Sequence, residues 1–495
     1  MTPESAREVV VARLRDLFMS WPAEQAVQFK GSWWAWGDVA RVHTELEQYL
    51  RASDGPRAVA IVMRQRPELV AVELAVLATG CTAVLVTPLQ SDAALIADVT
   101  ALRPSVLIAH SSDWQRPGMS EDALATGALG LEVTDEFELR VVVPVTATAH
   151  RTATGTTDAA VTVLTSGTTG PPKRLPVSWE TFVGLGGGPD ARPPLSGRGA
   201  VILSLPLVTL GGLLSMARLV FGGRPLSMME RFDVHEWAAL VREHRPRVIG
   251  APPPVVAMIL DADISPDHFD GVSAFVTSSA AVAPSTAAAF EQRYGIPVLV
   301  GYGATEFLNS VTGWTGELYQ RYGPAKLGSV GRALAGARLR VIDPETEVVV
   351  AVDKPGLLEV DPPQRAGGLP EGWLRTNDRA RIDSDGFVWI LGRADDVINR
   401  GGFKIDLGDV EAALCLHPGV AEACAVGLPD DRLGQVPGAV VVVRGDAAPT
   451  EAELLLWLRE HLAPYALPRV IRVVDTIPQT TTFKRHRAEV ERLLR

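Results

Sequence analysis

Ala160-Val161-Thr162-Val163-Leu164-Thr165-Ser166-Gly167-Thr168-Thr169-Gly170-Pro171-Pro172-Lys173 opens as a strand and closes as a ligand loop. The apolar, β-branched first half predicts a buried strand. The second half supplies four hydroxyls, two glycines, a proline pair and a lysine. Glycines let the backbone turn tightly and bring N–H groups close to a ligand, hydroxyls add donors, and the lysine adds a mobile positive charge. That set suits a polyphosphate. The spacing of Gly167, Gly170 and Lys173 departs from G-x-x-x-x-G-K-[ST], so this is a phosphate loop of another kind than that of the common nucleotide triphosphatases. Taken alone, the same punctuation also suits an ordinary polar hairpin loop.

The surrounding chain has 495 residues, too many for one core, and predicts at least two domains. Its 47% hydrophobic and 21% charged residues are those of a soluble globular protein. A net charge of −11 argues against a nucleic-acid partner, whose footprint would be basic, but leaves room for a locally positive nucleotide site. Cys81, Cys415 and Cys424 form neither a disulfide framework nor a metal-ligand spacing, which points to a reducing cytoplasm. Met1 to Leu17 has no apolar signal core. Residues 199–222 are nearly uncharged, but proline and glycine divide them into strand, loop and buried helix, so no membrane span is expected. Nothing in the sequence speaks to oligomeric state.

Short apolar runs alternate with helical patterns from residue 58 to residue 300. Strands are expected at 58–63, 82–86, 105–109, 161–165, 200–205, 247–251, 274–277 and 298–300, with helices at 68–79 and 234–244. Residues 1–50 read as helical, with Trp33-Trp34-Ala35-Trp36 as a local anchor, and residues 143–160 as a connector. Beyond Leu334 the pattern turns to β, at 338–342, 348–352, 357–360 and 388–391. The last hundred residues form a unit of their own, with helices at 410–416 and 451–461 and strands at 422–427, 439–444 and 470–474. The expected fold class is α/β: a large N-terminal domain of helix-flanked sheets with a β-rich subdomain, and a small mobile α+β C-terminal domain. The boundary is placed between 1–393 and 394–495.

Four further motifs agree with the first. Gly301-Tyr302-Gly303-Ala304-Thr305-Glu306 follows a strand, at the carboxyl end where α/β proteins bind ligands. Glu306 there could hold a magnesium ion, and Tyr302 offers a flat face to a base. Asn377-Asp378 and Gly392-Arg393-Ala394-Asp395-Asp396 supply a carboxylate and a guanidinium suited to sugar hydroxyls. Arg400-Gly401-Gly402-Phe403-Lys404 runs on to Asp409-Val410-Glu411. Last comes Thr480-Thr481-Thr482-Phe483-Lys484.

In this order and spacing the set resembles the AMP-forming adenylating superfamily of acyl- and aryl-CoA synthetases, adenylation domains and luciferases, over residues 30 to 490. The resemblance implies that Thr165, Ser166, Gly167, Thr168, Thr169, Gly170 and Lys173 embrace the ATP β- and γ-phosphates. Thr305 and Glu306 would meet the α-phosphate and Mg²⁺, and Tyr302 and Gly303 would lie beside adenine. Ser279, Ala280 and Ala281 would line the adenine and acyl pockets, with Ser278, Gly301, Gly303, Val208 and Thr209 completing the acid pocket. Asp378 and Arg393 would hold the ribose, and Asp395 would be the hinge of the C-terminal domain. Lys484 would bridge carboxylate and α-phosphate in adenylation, and Gly401 and Gly402 would line the thiol path afterwards.

The match is not uniform. Pro206-Leu207-Val208-Thr209 stands where relatives usually read Pro-Leu-Phe-His, Ser278-Ser279-Ala280-Ala281 replaces a glycine-rich run, and Thr482-Phe483-Lys484 replaces Ser-Gly-Lys. The ATP machinery therefore follows the family while the acid pocket departs from it. The reading that follows is an AMP-forming ligase joining a medium-sized aromatic or apolar carboxylic acid to CoA, with ATP and Mg²⁺ as cofactors. Alternatives are transfer to a carrier protein or a non-thiol acceptor, and activation of an unusual acid such as nitrite for diazotisation of an aryl amine. A non-catalytic nucleotide sensor fits poorly with Lys484, Glu306 and Asp378 all in place.

Overall fold

The computed structural model describes residues 2–51, 58–144, 159–164, 174–188, 199–366, 369–401, 403–444, 448–480 and 484–495. The expected phosphate loop from Thr165 to Lys173, Gly402 and Thr481 to Phe483 lie outside the described residues, as does most of the expected connector.

The first layer is a seven-stranded sheet in the order Leu139–Val143, Leu129–Val133, Val106–His110, Ala58–Val62, Thr82–Val86, Ala159–Leu164, Arg174–Ser178. Its five inner strands run parallel and its two edge strands antiparallel. Thr82–Val86 and Val106–His110 are buried at every position, as strands covered on both faces must be. Helix Pro67–Ala78 is buried all round and packs with helices Pro3–Ser20 and Trp36–Arg51 in the largest apolar core. The strand Ala159–Leu164 lies inside this sheet, between Thr82–Val86 and Arg174–Ser178.

The N-terminal segment corrects one expectation. Gln25–Phe29 and Ser32–Ala35 form a hairpin where helix was expected. Lys30 and Gly31, both with positive φ (50° and 78°), make the tight turn that the right-handed twist of paired strands favours. Gln25–Phe29 also pairs with Leu226–Met228, which joins Val201–Leu203 in a four-stranded sheet. The nearly uncharged run 199–222 is strand, loop and helix Leu210–Gly222, and among the described residues no helix is long and apolar enough to cross a membrane.

A three-stranded parallel sheet, Val248–Gly250, Ala274–Thr277 and Val298–Val300, packs on a core rich in rings from Trp237, Phe269, Phe275 and Phe290. The β-rich subdomain is an antiparallel meander of Arg338–Ile342, Gly356–Asp361, Leu374–Ile382 and Val388–Arg393. A strand expected at 348–352 is absent: Val349 makes one isolated bridge to Ile342, and Val348, Val349 and Val352 are exposed. The C-terminal portion has its own sheet of Val397–Arg400, Phe403–Asp406, Val420–Asp430, Gly434–Val443 and Ile471–Val473. Its two apolar clusters draw on residues from Ile398 to Leu494.

Candidate active site

The site grows from two parallel strands that end side by side. Thr277 pairs with Val300, and the Gly301 N–H donates to the Thr277 carbonyl at 2.8 Å. The segment after Thr277 therefore lies next to Gly301–Glu306. Ser279, Ala280 and Ala281 are exposed there, and Ser279 holds φ 79°, a conformation that favours glycine. Gly303 and Ala304 fold back against Asn309 and Ser310. A Cβ on Gly303 would sit 2.5 Å from the Asn309 carbonyl oxygen, so only glycine allows that approach.

Tyr302 is held at both ends. Its N–H donates to Thr312 Oγ1 at 3.0 Å, and that buried hydroxyl donates to the Val330 carbonyl at 2.7 Å. Its own hydroxyl donates to Asp378 Oδ2 at 2.5 Å. Burial, then the Asp378 carboxylate, push the phenol well above the ordinary tyrosine range. Thr305–Phe307 forms a single 3₁₀ turn closed by Leu308 at φ 57°, and the Ala366 N–H donates to the Glu306 carbonyl at 3.0 Å. Glu306 is exposed, and its carboxylate is the kind of oxygen group that a hard cation takes.

The two sugar-binding candidates come together through sheet register. Asp378 on Leu374–Ile382 is the direct partner of Arg393 on Val388–Arg393, next to an irregularity in the ladder at Arg379 and Ala380. The Asp378 N–H donates to Thr376 Oγ1 at 3.1 Å. Asp395 sits in the 3₁₀ turn Ala394–Asp396 that follows.

Lys484 arrives from the far end of the chain. Its N–H donates to Thr480 Oγ1 at 3.1 Å, and the Thr480 N–H donates to the Lys484 carbonyl at 2.6 Å. Burial lowers its ammonium below the ordinary lysine range; Glu306 acts against that, Arg393 adds to it, and Asp378 acts against it again. Four charged groups from four separate stretches thus share one electrostatic neighbourhood. Arg379 also pairs with Asp406, tying the meander to the C-terminal sheet.

Other expected site residues have structural duties. Val208 is buried in the largest core, and Thr209 caps helix Leu210–Gly222, donating to the Pro206 carbonyl at 2.6 Å and accepting from the Gly212 N–H at 3.4 Å. Gly401 takes φ 57° in the turn between Val397–Arg400 and Phe403–Asp406, its N–H donating to the Leu433 carbonyl at 2.9 Å. Elsewhere among the described residues, Glu68, His110 and Asp135 bring ligand atoms within 4.8 Å of one another. Arg66 already donates to both Glu68 and Asp135, so that cluster is internally compensated. Thr376 belongs to the motif Gly372-Trp373-Leu374-Arg375-Thr376-Asn377-Asp378, whereas the Arg379–Asp406 pair joins residues 27 positions apart, a contact that no local pattern reports.

The chain resembles known proteins in sequence and in fold. The model of the AMP-binding enzyme family matches residues 17–369, and that of the AMP-binding enzyme C-terminal domain matches residues 409–484. A 4-coumarate–CoA ligase-like protein of Oryza sativa subsp. japonica (4-coumarate--CoA ligase-like 9) is 31% identical over 52% of this chain and 49% of its own length. The chain thus spans about half of that relative. A 2-succinylbenzoate–CoA ligase of Geobacillus kaustophilus is 30% identical over 68% of this chain and 70% of its own. In fold, ATP-bound MatB from Rhodopseudomonas palustris matches with a TM-score of 0.81 at 24% identity, covering 98% of both chains. The apo form of the same protein matches less well, at 0.68 with the same coverage. The amide bond synthetase McbA from Marinactinospora thermotolerans matches at 0.78 and 22% identity, over 99% of this chain and 100% of its own.

Proposed function

The chain belongs to the family of AMP-binding enzymes, within the AMP-forming adenylating superfamily, and on that premise we propose that it activates a carboxylic acid with ATP and passes the acyl group to the thiol of CoA. The observation that carries the proposal is the convergence of Lys484, Glu306, Asp378 and Arg393. A carboxylate is a poor electrophile. Its oxygen first attacks the ATP α-phosphorus, the bond to pyrophosphate breaks, and an acyl-adenylate results. Negative charge accumulates on the transferring group, and the Lys484 ammonium offsets it from a partly desolvated position. Asp378 and Arg393 hold the ribose so that the α-phosphate faces Lys484, with Tyr302 fixed beside the base and Thr305 beside the phosphate. Mg²⁺, when bound, draws charge from the phosphate oxygens, and Glu306 is the exposed oxygen ligand that fits it. The nonapeptide from Thr165 to Lys173 is assigned to the departing phosphates.

In the second step the thiol sulfur attacks the acyl carbon, AMP leaves, and the proton passes to solvent. Lys484 cannot remain in place for this step, so the C-terminal domain, residues 394–495, turns about Asp395 and presents Gly401 and Gly402 to the thiol. The better match to the ATP-bound than to the apo relative supports the first of these two arrangements here. An aromatic or apolar acid of medium size is favoured by relatives named for coumarate and succinylbenzoate. A second reading keeps the first step and changes the acceptor to an amine or a carrier-protein thiol. It is favoured by the fold neighbour that makes amide bonds and by the unusual Val208-Thr209 wall. Pyrophosphate release over a panel of acids, with and without CoA or an amine, tests both. Release of ADP in place of pyrophosphate would overturn the proposal.

A further inference from the structure

Helix Leu407–Cys415 carries Glu411 inward, and both oxygens of its carboxylate are engaged by residues that flank Lys484. Oε2 accepts from Arg485 at 2.5 Å. Oε1 accepts from Arg487 at 2.8 Å and from the Ala425 N–H of strand Val420–Asp430 at 2.9 Å. The other end of the Arg487 guanidinium pairs with Asp396 Oδ2 at 3.0 Å. Glu411 and Asp396 are 12% and 19% exposed, so these charges sit largely out of water, where such pairs are strong and directional.

Arg485 makes an isolated antiparallel bridge to Gln479, the Thr480 N–H donates to the Lys484 carbonyl at 2.6 Å, and the His486 N–H donates to the Pro478 carbonyl at 2.7 Å. These bonds fix the backbone on either side of Lys484. The neighbouring Arg485 side chain is drawn to Glu411, while Lys484 lies in the field of Glu306, Arg393 and Asp378. Asp396, meanwhile, is the residue that follows the assigned hinge Asp395.

We propose that Glu411 and Asp396 are positioning residues that, through Arg485 and Arg487, aim Lys484 and fasten its segment to the hinge end of the C-terminal domain. Rotation at the hinge then carries Lys484 as part of a rigid lever. This rests on the reading of Lys484 as the group that meets the reacting phosphate. Both carboxylates are engaged by protein groups, Glu411 by Arg485, Arg487 and the Ala425 N–H and Asp396 by Arg487, so each acts through an arginine.

The test uses the full chain with Glu411→Gln and, as a milder variant, Asp396→Asn. Three readouts are needed: pyrophosphate release in adenylation, CoA ester formation from a pre-made adenylate, and hydrogen exchange of the Thr480 and His486 amides against the core of strand Val420–Asp430. A misplacement of about 1 Å costs on the order of 10²-fold in a positioned reaction, so Glu411→Gln should slow adenylation by roughly 10–100-fold. Asp396→Asn should slow it less. In both, ester formation from the adenylate should stay within about twofold, a split that loss of fold does not produce. Exchange should quicken at Thr480 and His486 and stay unchanged in the core strand. If Glu411→Gln does not fold, Asp396→Asn decides by the same readouts. Equal loss of both half-reactions, faster exchange throughout the domain, or no change in either would overturn the proposal. Should the wild-type protein release no pyrophosphate with any acid, local exchange at Thr480 and His486 still supports the clamp, and only the functional reading falls.

Discussion

Replacing Asp378 with Ala removes the carboxylate assigned to the ribose, and its cost can be worked from the contacts around it. One oxygen, Oδ2, already accepts from Tyr302 at 2.5 Å, which leaves Oδ1 and the remaining lone pairs for sugar hydroxyls. A hydrogen bond to a charged group contributes about 1.5–3 kcal/mol, so losing the sugar contact should weaken nucleotide binding by about 10–150-fold. The Tyr302 hydroxyl would also lose its partner in a largely buried setting, so a modest fall in stability should accompany the fall in affinity. Calorimetric titration with ATP, 2′-deoxy-ATP and 3′-deoxy-ATP separates the two effects. Wild-type protein should discriminate against at least one deoxy form, and Asp378→Ala should not. Tyr302→Phe, which spares the carboxylate, should keep that discrimination. If Asp378→Ala bound all three nucleotides as tightly as wild type, the ribose assignment of Asp378 and Arg393 would be wrong.

Burial holds the folded Lys484 pKa below its unfolded value, so the protonated ammonium costs stability at low pH and the cost fades as pH rises through the folded pKa. Lys484→Met should therefore raise the melting temperature of the nucleotide-free protein at neutral pH. The wild-type adenylation rate should fall on the alkaline side at a pH below the ordinary lysine range, a limb that ester formation from the adenylate should lack. Arg379→Gln breaks the pair with Asp406, a partly exposed bridge worth about 1 kcal/mol, or roughly fivefold in an equilibrium. Limited proteolysis around residues 393–396 should then quicken, while unchanged cleavage would show that the pair does not restrain the C-terminal domain. Glu73, fully buried and without a hydrogen-bond partner, has its carboxyl pushed up to about 8 by desolvation. Its folded pKa is raised, so the Glu73 contribution to stability should be full below its unfolded pKa and be lost as pH rises toward 8, at about 1.36 kcal/mol per unit. Thermal melts of Glu73→Gln should show a flatter profile over that window; parallel profiles would rule the effect out.

The alternation of short apolar runs was enough to place Thr82–Val86, Ala274–Thr277 and Val298–Val300 to the residue, because each is a short, unbroken run of apolar and β-branched residues, buried at every position in Thr82–Val86. It failed where charge replaces apolarity. Leu374–Ile382, which carries Asp378, holds four charged side chains, and cross-strand pairing of Arg375 and Arg340 with Glu359 stabilises that surface instead. It failed in the opposite sense at 348–352, where valines are exposed and largely unpaired. Candidate residues that lie in contiguous motifs were legible, among them Tyr302, Glu306 and Lys484. Their connections were not, since Tyr302 meets Asp378 across 76 positions and Glu411 meets Arg485 across 74. No local pattern reports a contact of that range.

The most direct test of the whole account is Lys484→Ala measured in the two half-reactions separately. Loss of one electrostatic donor aimed at a developing charge typically costs on the order of 10²–10³ in rate. Pyrophosphate release from ATP and acid should fall by that amount, while CoA ester formation from a pre-made adenylate should proceed at close to the wild-type rate. Equal loss of both half-reactions, or undiminished pyrophosphate release, would contradict the placement of Lys484 at the adenylation step and the domain rotation that follows from it.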